Sequence, residues 1–560
     1  MTEDPAADRW HVKYTFAEPV RGMVFSRNTN KFRASSWRAT SGGKDVAWKE
    51  ILGREALVID DPKGAKTIEV SFATDAKTKP SDYELNVAFT EGSRMLFTGH
   101  LAGVPMGCSG EPDCDIHDLE LDLALKGYDP TAEPRWTFRT NPKRGVLTLD
   151  SNGSGELTWR PTGAIASQGT YVYFGGLAPI ETTYGRVVLD PGLPTWMRRS
   201  AEETIPKLLT WYASETRTAP DHKPLLFLSF GGSDRRGRNF GGGGLPGVAQ
   251  VDAEGSGWLT ETSEARAEWL RFLGHELFHI WNGDLFHRKD SSDAWISEGA
   301  ADYFAARALV ALSESNSKIF ADSLVKAANR CLVTLPHGVP LRPQDGTPEY
   351  PCGMTFFSWI DHVDPKKAGS ASAVLADVFA RARAAGSSQY STAEVLEAAA
   401  RAGVDKTSIE AIKGAVESGL PADADIFFAD RLGAIGIKVD RVAVTETEVD
   451  RREMLSAIGV HMARCDCEKR IAFNYDEDPG FIDFNDVPQC NVLRGVRVVE
   501  VEGKPLTAVM TALQALMNRK NLTEVRFRRE DAKQPETLRC REKTVPRFRR
   551  LLRAAGGPKP

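Results

Sequence analysis

The chain has 560 residues, longer than a single hydrophobic core supports, so about two to four domains are expected. Hydrophobic residues make up 41% and charged residues 26%, a globular composition. The net charge of −5 is too slight to mark a nucleic-acid or anionic-membrane partner, and no run of apolar residues is long enough for a transmembrane helix.

The start, Met1-Thr2-Glu3-Asp4-Pro5, has neither the basic region nor the apolar core of a signal peptide. The chain is either cytoplasmic or a mature exported chain with an added Met. The eight cysteines favour export: Cys108 with Cys114, Cys331 with Cys352, and a late cluster of Cys465, Cys467, Cys490 and Cys540 suit local disulfides in an oxidising compartment. The alternative is buried free thiols. No CxxC pair points to a metal.

Residues 1–180 read as a β domain of sandwich type. Short alternating runs occupy Trp10 to Phe16 and Thr67 to Ala73. Val146 to Leu149 and Glu156 to Trp159 flank a turn-rich Ser151-Asn152-Gly153-Ser154-Gly155, which predicts a hairpin. Tyr171 to Phe174 and Val187 to Leu189 continue the pattern. The cluster Glu111, Asp113, Asp115, His117 and Asp118 lacks the ordered oxygen spacing of a calcium loop and reads as a solvated acidic loop.

From about 181 the period changes. Pro194 to Thr216 predicts a helix with Trp196, Ile205, Leu208, Leu209 and Trp211 on one face, and Pro224 to Phe230 a buried strand. The run Phe240 to Gly247 is glycine-rich but lacks the Gly-Lys-Ser/Thr of a phosphate loop. It is either a surface loop or an edge strand, with Gly242, Gly243, Gly244 and Leu245, whose bare backbone pairs with a peptide.

A helix is predicted from Thr262 to Asn282, packed through Trp269, Phe272, Leu273, Leu277 and Ile280. It carries His275-Glu276-Leu277-Phe278-His279. Histidines four apart share one helix face and can grip one metal ion, with Glu276 beside them, placed to take a proton from a water at that metal. Glu298 follows His279 after eighteen residues on a helix starting near Ser292 or Asp293, and can supply a carboxylate oxygen. Two His, one Glu and an open fourth position form a catalytic zinc set, one ion per chain. The metzincin pattern is excluded, because its Gly and His positions hold Asn282 and Leu285. His287 is off-register and reads as a surface residue. Asp302, four residues after Glu298, either orients a zinc-bound histidine through its second ring N–H or is a surface carboxylate.

Helical patterns continue to about 435, over Lys318 to Leu332, Met354 to Asp361, Ala371 to Ala384, Thr392 to Ala402 and Ile409 to Glu417. Tyr350, at a loop–helix junction, is either a packing residue or a hydroxyl aimed at a developing oxyanion. Strand patterns return from about 437, with Arg494 to Leu506, a helix through Met510 to Met517, and Thr523 to Phe527. The basic run Arg547 to Arg553 reads as a solvated helix end and a loose terminus.

His275-Glu276-Leu277-Phe278-His279-Ile280-Trp281-Asn282, the Glu298-Gly299 pair, and Tyr350 with Gly353 resemble the glycyl aminopeptidase family of gluzincin peptidases, over about 170 to 435. The resemblance implies a multidomain α+β chain. Its parts would be an N-terminal β-sandwich-like domain (1–180), a thermolysin-like catalytic domain with a helical part (181–436) and a C-terminal PDZ-like domain (437–560). It implies a peptide or protein substrate, zinc bound by His275, His279 and Glu298, Glu276 as general base, and Tyr350 on the oxyanion. The expected activity is aminopeptidase; the alternatives are an endopeptidase of the same chemistry or an inactive peptide-binding scaffold. The chain departs from the family at Gly243-Gly244-Leu245-Pro246-Gly247, where relatives carry Gly-Gly-Leu-Glu-His with a Glu that holds the substrate amine. Asp252 and Glu254 are the candidate substitutes. Gly283-Asp284 replaces a basic continuation, and no Gly-Leu-Gly-Phe loop precedes the PDZ-like part.

Overall fold

Alternation in the first strands builds a layered β region. In Arg9–Val20 the side chains of Trp10 and Val12 turn inward while His11 and Lys13 face solvent, the two-residue period of a half-buried strand. The computed structural model describes residues 1–4, 8–29, 31–75, 83–107, 134–141, 143–235, 237–312, 317–335, 337–343, 347–361, 371–421, 423–443, 448–467, 473–476, 480–484, 490–519, 523–540 and 550–554. Cys108, Cys114, the acidic cluster at 111–118 and Arg547 to Arg549 lie outside them. The chain divides into two compact units, one of residues 1–210 and 219–280, the other of 211–218 and 281–560.

In the first unit the strands before residue 182 form, among the described residues, sheets of seven, five and four strands, and Ile180–Glu181 adds one edge strand to a further sheet described below. Arg9–Val20 pairs antiparallel with Ala65–Ala73, setting His11 opposite Ser71. Aromatic rings fill the core, with Trp37 stacked on Phe72 at 4.4 Å and Trp10 edge-on to Phe174 at 4.8 Å. A pair of opposite charges is buried there. Arg33 donates to Glu55 Oε2 at 2.7 Å and to the His100 carbonyl at 2.9 Å, and the Thr29 hydroxyl also donates to Glu55.

The expected hairpin is partly corrected. Gly145–Leu147 pairs with Asn152–Ser154, inside the segment taken as the turn, and Glu156–Trp159 pairs with Trp136–Arg139 in another sheet. The chain reverses at residues 148–151, where the Thr148 and Ser151 hydrogen bonds close the turn.

A five-stranded sheet follows in the order 180–181, 186–189, 225–230, 248–254, 239–245. Its centre is parallel, and Leu225–Phe230 is buried at every position, as expected of a strand covered on both faces. Asn239–Leu245 is the antiparallel edge strand, so the glycine-rich run is a strand rather than a loop. Pro246-Gly247 makes the two-residue turn that closes it, with Gly247 at φ 72°. A Cβ on Gly247 would also meet Leu149 Cδ2 at 2.4 Å, so this turn holds a glycine for two reasons.

The second unit is helical up to Ala434, through Ala294–Ala311, Ser317–Thr334, Glu349–Asp361, Ala371–Ala384, Thr392–Ala402, Lys406–Ser418 and Ala424–Ala434. Glu349–Asp361 begins five residues before the expected Met354. Pro351 does not prevent this, because the first-turn N–H groups of a helix have no intrahelical partner to lose. A disulfide joins Cys331 to Cys352.

Beyond Ala434 the expected strands form at Arg497–Val501 and Glu524–Arg529, with the helix at Val509–Met517. They belong to a sheet of antiparallel strands that also holds Phe473–Asp476, Phe481–Phe484 and Glu536–Arg539. A further helix, Glu448–Asp466, runs where strands were expected. From Met454 to Cys467 every residue but Arg464 is buried. Disulfides Cys465–Cys540 and Cys467–Cys490 tie its end to that sheet, and among the described cysteines none is free. The basic tail is also corrected: Arg550–Ala554 is a strand paired antiparallel with Val439–Ala443. Leu552 is buried, and its backbone N–H and C=O both bond to the Asn329 side chain at 2.8 and 2.9 Å. Among the described residues no helix is long and apolar enough to cross a membrane.

Candidate metal centre and substrate strand

In the first unit, the helix Ser263–His279 starts at Thr262, whose hydroxyl accepts from the Ala265 N–H at 3.1 Å. Trp269, Leu273 and Leu277 bury one side, as expected, and Trp269 donates to the Met197 carbonyl at 3.3 Å. The α-helix ends at His279, three residues short of the expected Asn282, and gives way to a π-helical stretch, Ile280–Leu285.

His275 and His279 fall on one face as their spacing requires. Their Nε2 atoms stand 3.1 Å apart, with the rings nearly perpendicular. Two nitrogens bound to one zinc at about 2.0–2.1 Å in tetrahedral geometry lie roughly 3.3 Å apart, so the pair fits a shared metal ion. Glu276 is buried beside them.

The edge strand runs alongside this helix. A Cβ on Gly242 would stand 2.6 Å from Glu276 Cδ and 2.7 Å from its Oε1, so only glycine leaves the carboxylate its place. A Cβ on Gly244 would lie 3.5 Å from His279 Cβ. At the strand's start the Phe240 ring lies 4.1 Å from Phe272. Strand and helix therefore ascend in step, 240 by 272, 242 by 276 and 244 by 279.

The inner neighbour of this strand carries Asp252 opposite Gly241 and Glu254 opposite Asn239. Asp252 accepts from the Ser229 hydroxyl at 2.9 Å, and Glu254 pairs with Arg235 at 3.2 Å. Both candidate substitutes for the missing acid thus lie toward the Phe240 end, not beside Gly244.

In the second unit, Trp281 donates to the Thr218 carbonyl at 2.7 Å. Asn282 donates to the Ser297 carbonyl at 2.7 Å and accepts the Tyr390 hydroxyl at 2.6 Å. Burial pushes the Tyr390 phenol up, keeping it a donor. The Trp and Asn after the second histidine therefore anchor the backbone that leaves the motif, and Asn282 grips the residue before Glu298.

Glu298 sits on Ala294–Ala311, half-buried, with Arg288 Nη1 3.9 Å from its Oε1. Asp293 rather than Ser292 stands at the N-cap, yet its carboxylate serves another element, accepting the Thr392 N–H and hydroxyl at 2.7 Å each. The preceding turn is capped by Asp290, whose carboxyl the Ser292 hydroxyl and backbone hold below the usual range. Asp302, four residues past Glu298, is half-buried. Tyr350 is the second residue of Glu349–Asp361, at the expected loop–helix junction. A Cβ on Gly353 would stand 2.7 Å from Gly299 Cα, so this glycine pair lets the Glu298 and Tyr350 helices touch backbone to backbone. Two residues next to the candidate ones escaped the sequence reading, Arg288 beside Glu298 and Tyr83, whose hydroxyl donates to the Gly244 carbonyl at 2.7 Å. Only their place in space marks them.

No family model and no curated protein sequence matches the chain. In fold it is similar to an aminopeptidase N family protein from Idiomarina loihiensis, at 12% identity with a TM-score of 0.61, over 98% of this chain and 95% of that one. An M1 zinc metallopeptidase from Deinococcus radiodurans aligns at 14% identity and a TM-score of 0.39, over 73% and 89%. Yeast LTA4 hydrolase aligns at 11% and 0.41, over 75% and 64%. The chain thus shares, nearly end to end, the architecture of the Idiomarina protein.

Proposed function

We propose that the chain is a zinc-dependent gluzincin peptidase acting on peptides or proteins, most simply as an aminopeptidase. The observation that carries this is the convergence of the His275 and His279 nitrogens, with Glu276 between them and the bare backbone of Gly242. The fold shared with an aminopeptidase N family protein supports it.

In this reading His275 and His279 give one nitrogen each and Glu298 one carboxylate oxygen to a single zinc ion. When bound, the zinc supplies a Lewis acid for the scissile carbonyl and acidifies a water. Glu276 takes that water's proton and later passes it to the leaving amine. The Tyr350 hydroxyl donates to the oxyanion that develops on the substrate, and Asp302 orients a ligand histidine. Gly242, Gly243, Gly244 and Leu245 hold the peptide as an added strand. We assign residues 1–180, 181–436 and 437–560 to β, catalytic and PDZ-like domains. The three disulfides among the described residues support export to an oxidising compartment.

Pro246, in place of a carboxylate, favours a second reading as an endopeptidase. One peptide library, with free and with acetylated N-termini, is digested and read by mass spectrometry against a Glu276→Gln blank. Trimming of the free set alone is the expected result, cutting of both sets establishes the endopeptidase, and no cleavage by zinc-loaded protein overturns the peptidase reading.

A further inference from the structure

The residue that stands at the end of the edge strand comes from far away in the chain. Leu245 and Val248 close a two-residue turn, so they exchange both backbone hydrogen bonds. Alternation then directs the N–H and C=O groups of Gly244, Gly242 and Phe240 away from the sheet. The Gly244 carbonyl does not stay open. The Tyr83 hydroxyl donates to it at 2.7 Å, and a Cβ on Gly243 would lie 3.3 Å from the Tyr83 ring. Tyr83 is itself fixed, with its ring packed on Phe97 at 5.1 Å and on Tyr171 at 6.5 Å.

A peptide pairs with this edge more stably antiparallel than parallel. Its N-terminus then lies beside Gly244, past His279, and its chain continues toward Phe240. There Phe240 is partly exposed against Phe272, an apolar wall rather than a stop. We propose that Tyr83 is the specificity-determining residue at the amino end of the substrate. Its ring ends the strand, and its phenol oxygen, having given its proton to Gly244, accepts from the substrate ammonium together with that carbonyl. Two neutral acceptors thereby take the place of the carboxylate that Pro246 displaces. Asp252 and Glu254 cannot serve, because they lie opposite Gly241 and Asn239. This inference rests on the peptide-binding part of the reading above and is independent of turnover.

The test is direct binding, by calorimetry, of one pentapeptide with a free or an acetylated N-terminus to zinc-loaded Glu276→Gln protein. Tyr83→Phe and Tyr83→Ala are made in the same background, with melting temperature and zinc content as controls on folding. The free peptide should bind at least about ten-fold tighter than the acetylated one, the size of one or two hydrogen bonds to a charged group. Tyr83→Phe should weaken the free peptide about five-fold or more and leave the acetylated one poor, because the ring remains. Tyr83→Ala should bring the two to near equality by admitting the acetyl group. Equal binding of both peptides to the Glu276→Gln protein, or an unchanged ratio in Tyr83→Phe, overturns the proposal. Should Tyr83→Ala fail to fold, Tyr83→Phe decides alone. Loss of turnover with the binding ratio intact would remove the peptidase reading and leave this one standing.

Discussion

Gly242 has no side chain because Glu276 occupies the space one would need, at 2.6 Å from the missing Cβ. Gly242→Ala must therefore displace the proposed base. Turnover is expected to fall about 10²-fold or more, within the range a general base contributes, while zinc content is unchanged. Gly241→Ala is the control for folding and zinc binding, since nothing lies within 4 Å of its missing Cβ. Steady-state rates and metal analysis of the two variants, side by side, check this. Equal turnover in both would separate Gly242 from the base.

Tyr350 tests the oxyanion assignment. Tyr350→Phe keeps the ring and removes one donor, so kcat should fall roughly 10²-fold with little change in KM. An unchanged kcat assigns Tyr350 to packing at the start of its helix.

The buried Arg33–Glu55 pair predicts a stability effect without a direct catalytic one. Glu55→Ala leaves the Arg33 guanidinium buried without its carboxylate, and should cost about 3–5 kcal/mol in the stability of its unit, read by denaturant unfolding. A loss well under 1 kcal/mol would show that water reaches Arg33 in the variant.

His461 sets a pH dependence. It accepts from Arg519 Nη2 at 2.9 Å, and burial, then Arg519 and Arg464, lowers its pKa from 6.5 to about 3. The unfolded chain therefore binds a proton that the folded chain refuses between about pH 6.5 and 3. Stability from this residue is complete above pH 6.5 and is lost as the pH falls toward 3. His461→Gln, which keeps an acceptor and does not titrate, should flatten the drop in melting temperature between pH 7 and 4. Parallel curves for the two proteins would assign acid sensitivity to other groups.

The convergence of His275 and His279 was legible because it is local: a four-residue spacing on a helix fixes which way two side chains point. The buried strand Leu225–Phe230 was legible as a continuous apolar run, and most helices through their own periodicity. The errors have a common cause. Glu448–Asp466 is buried on nearly all sides from Met454 onward, so its apolar residues show no helical period. Glu156–Trp159 has the pattern of a strand, but pattern alone does not choose between Leu147 and Trp136 as the partner. The same holds for Arg550–Ala554, whose pattern does not name Val439–Ala443 as its partner. Tyr83 carries no signal of its own; 161 residues separate it from the carbonyl it caps.

The clasp between Asn329 and Leu552 imposes a schedule on synthesis. The Asn329 amide is made 223 residues before the backbone that satisfies both its donor and its acceptor. At ordinary translation rates that interval is roughly 10 to 45 s, during which the Asn329 amide has only water for a partner and Val439–Ala443 lacks the strand that later pairs with it. The helical region can gather on the ribosome, but its last seam closes only when the far segment arrives. A ribosome stalled between Ala443 and Leu552 would display that seam open.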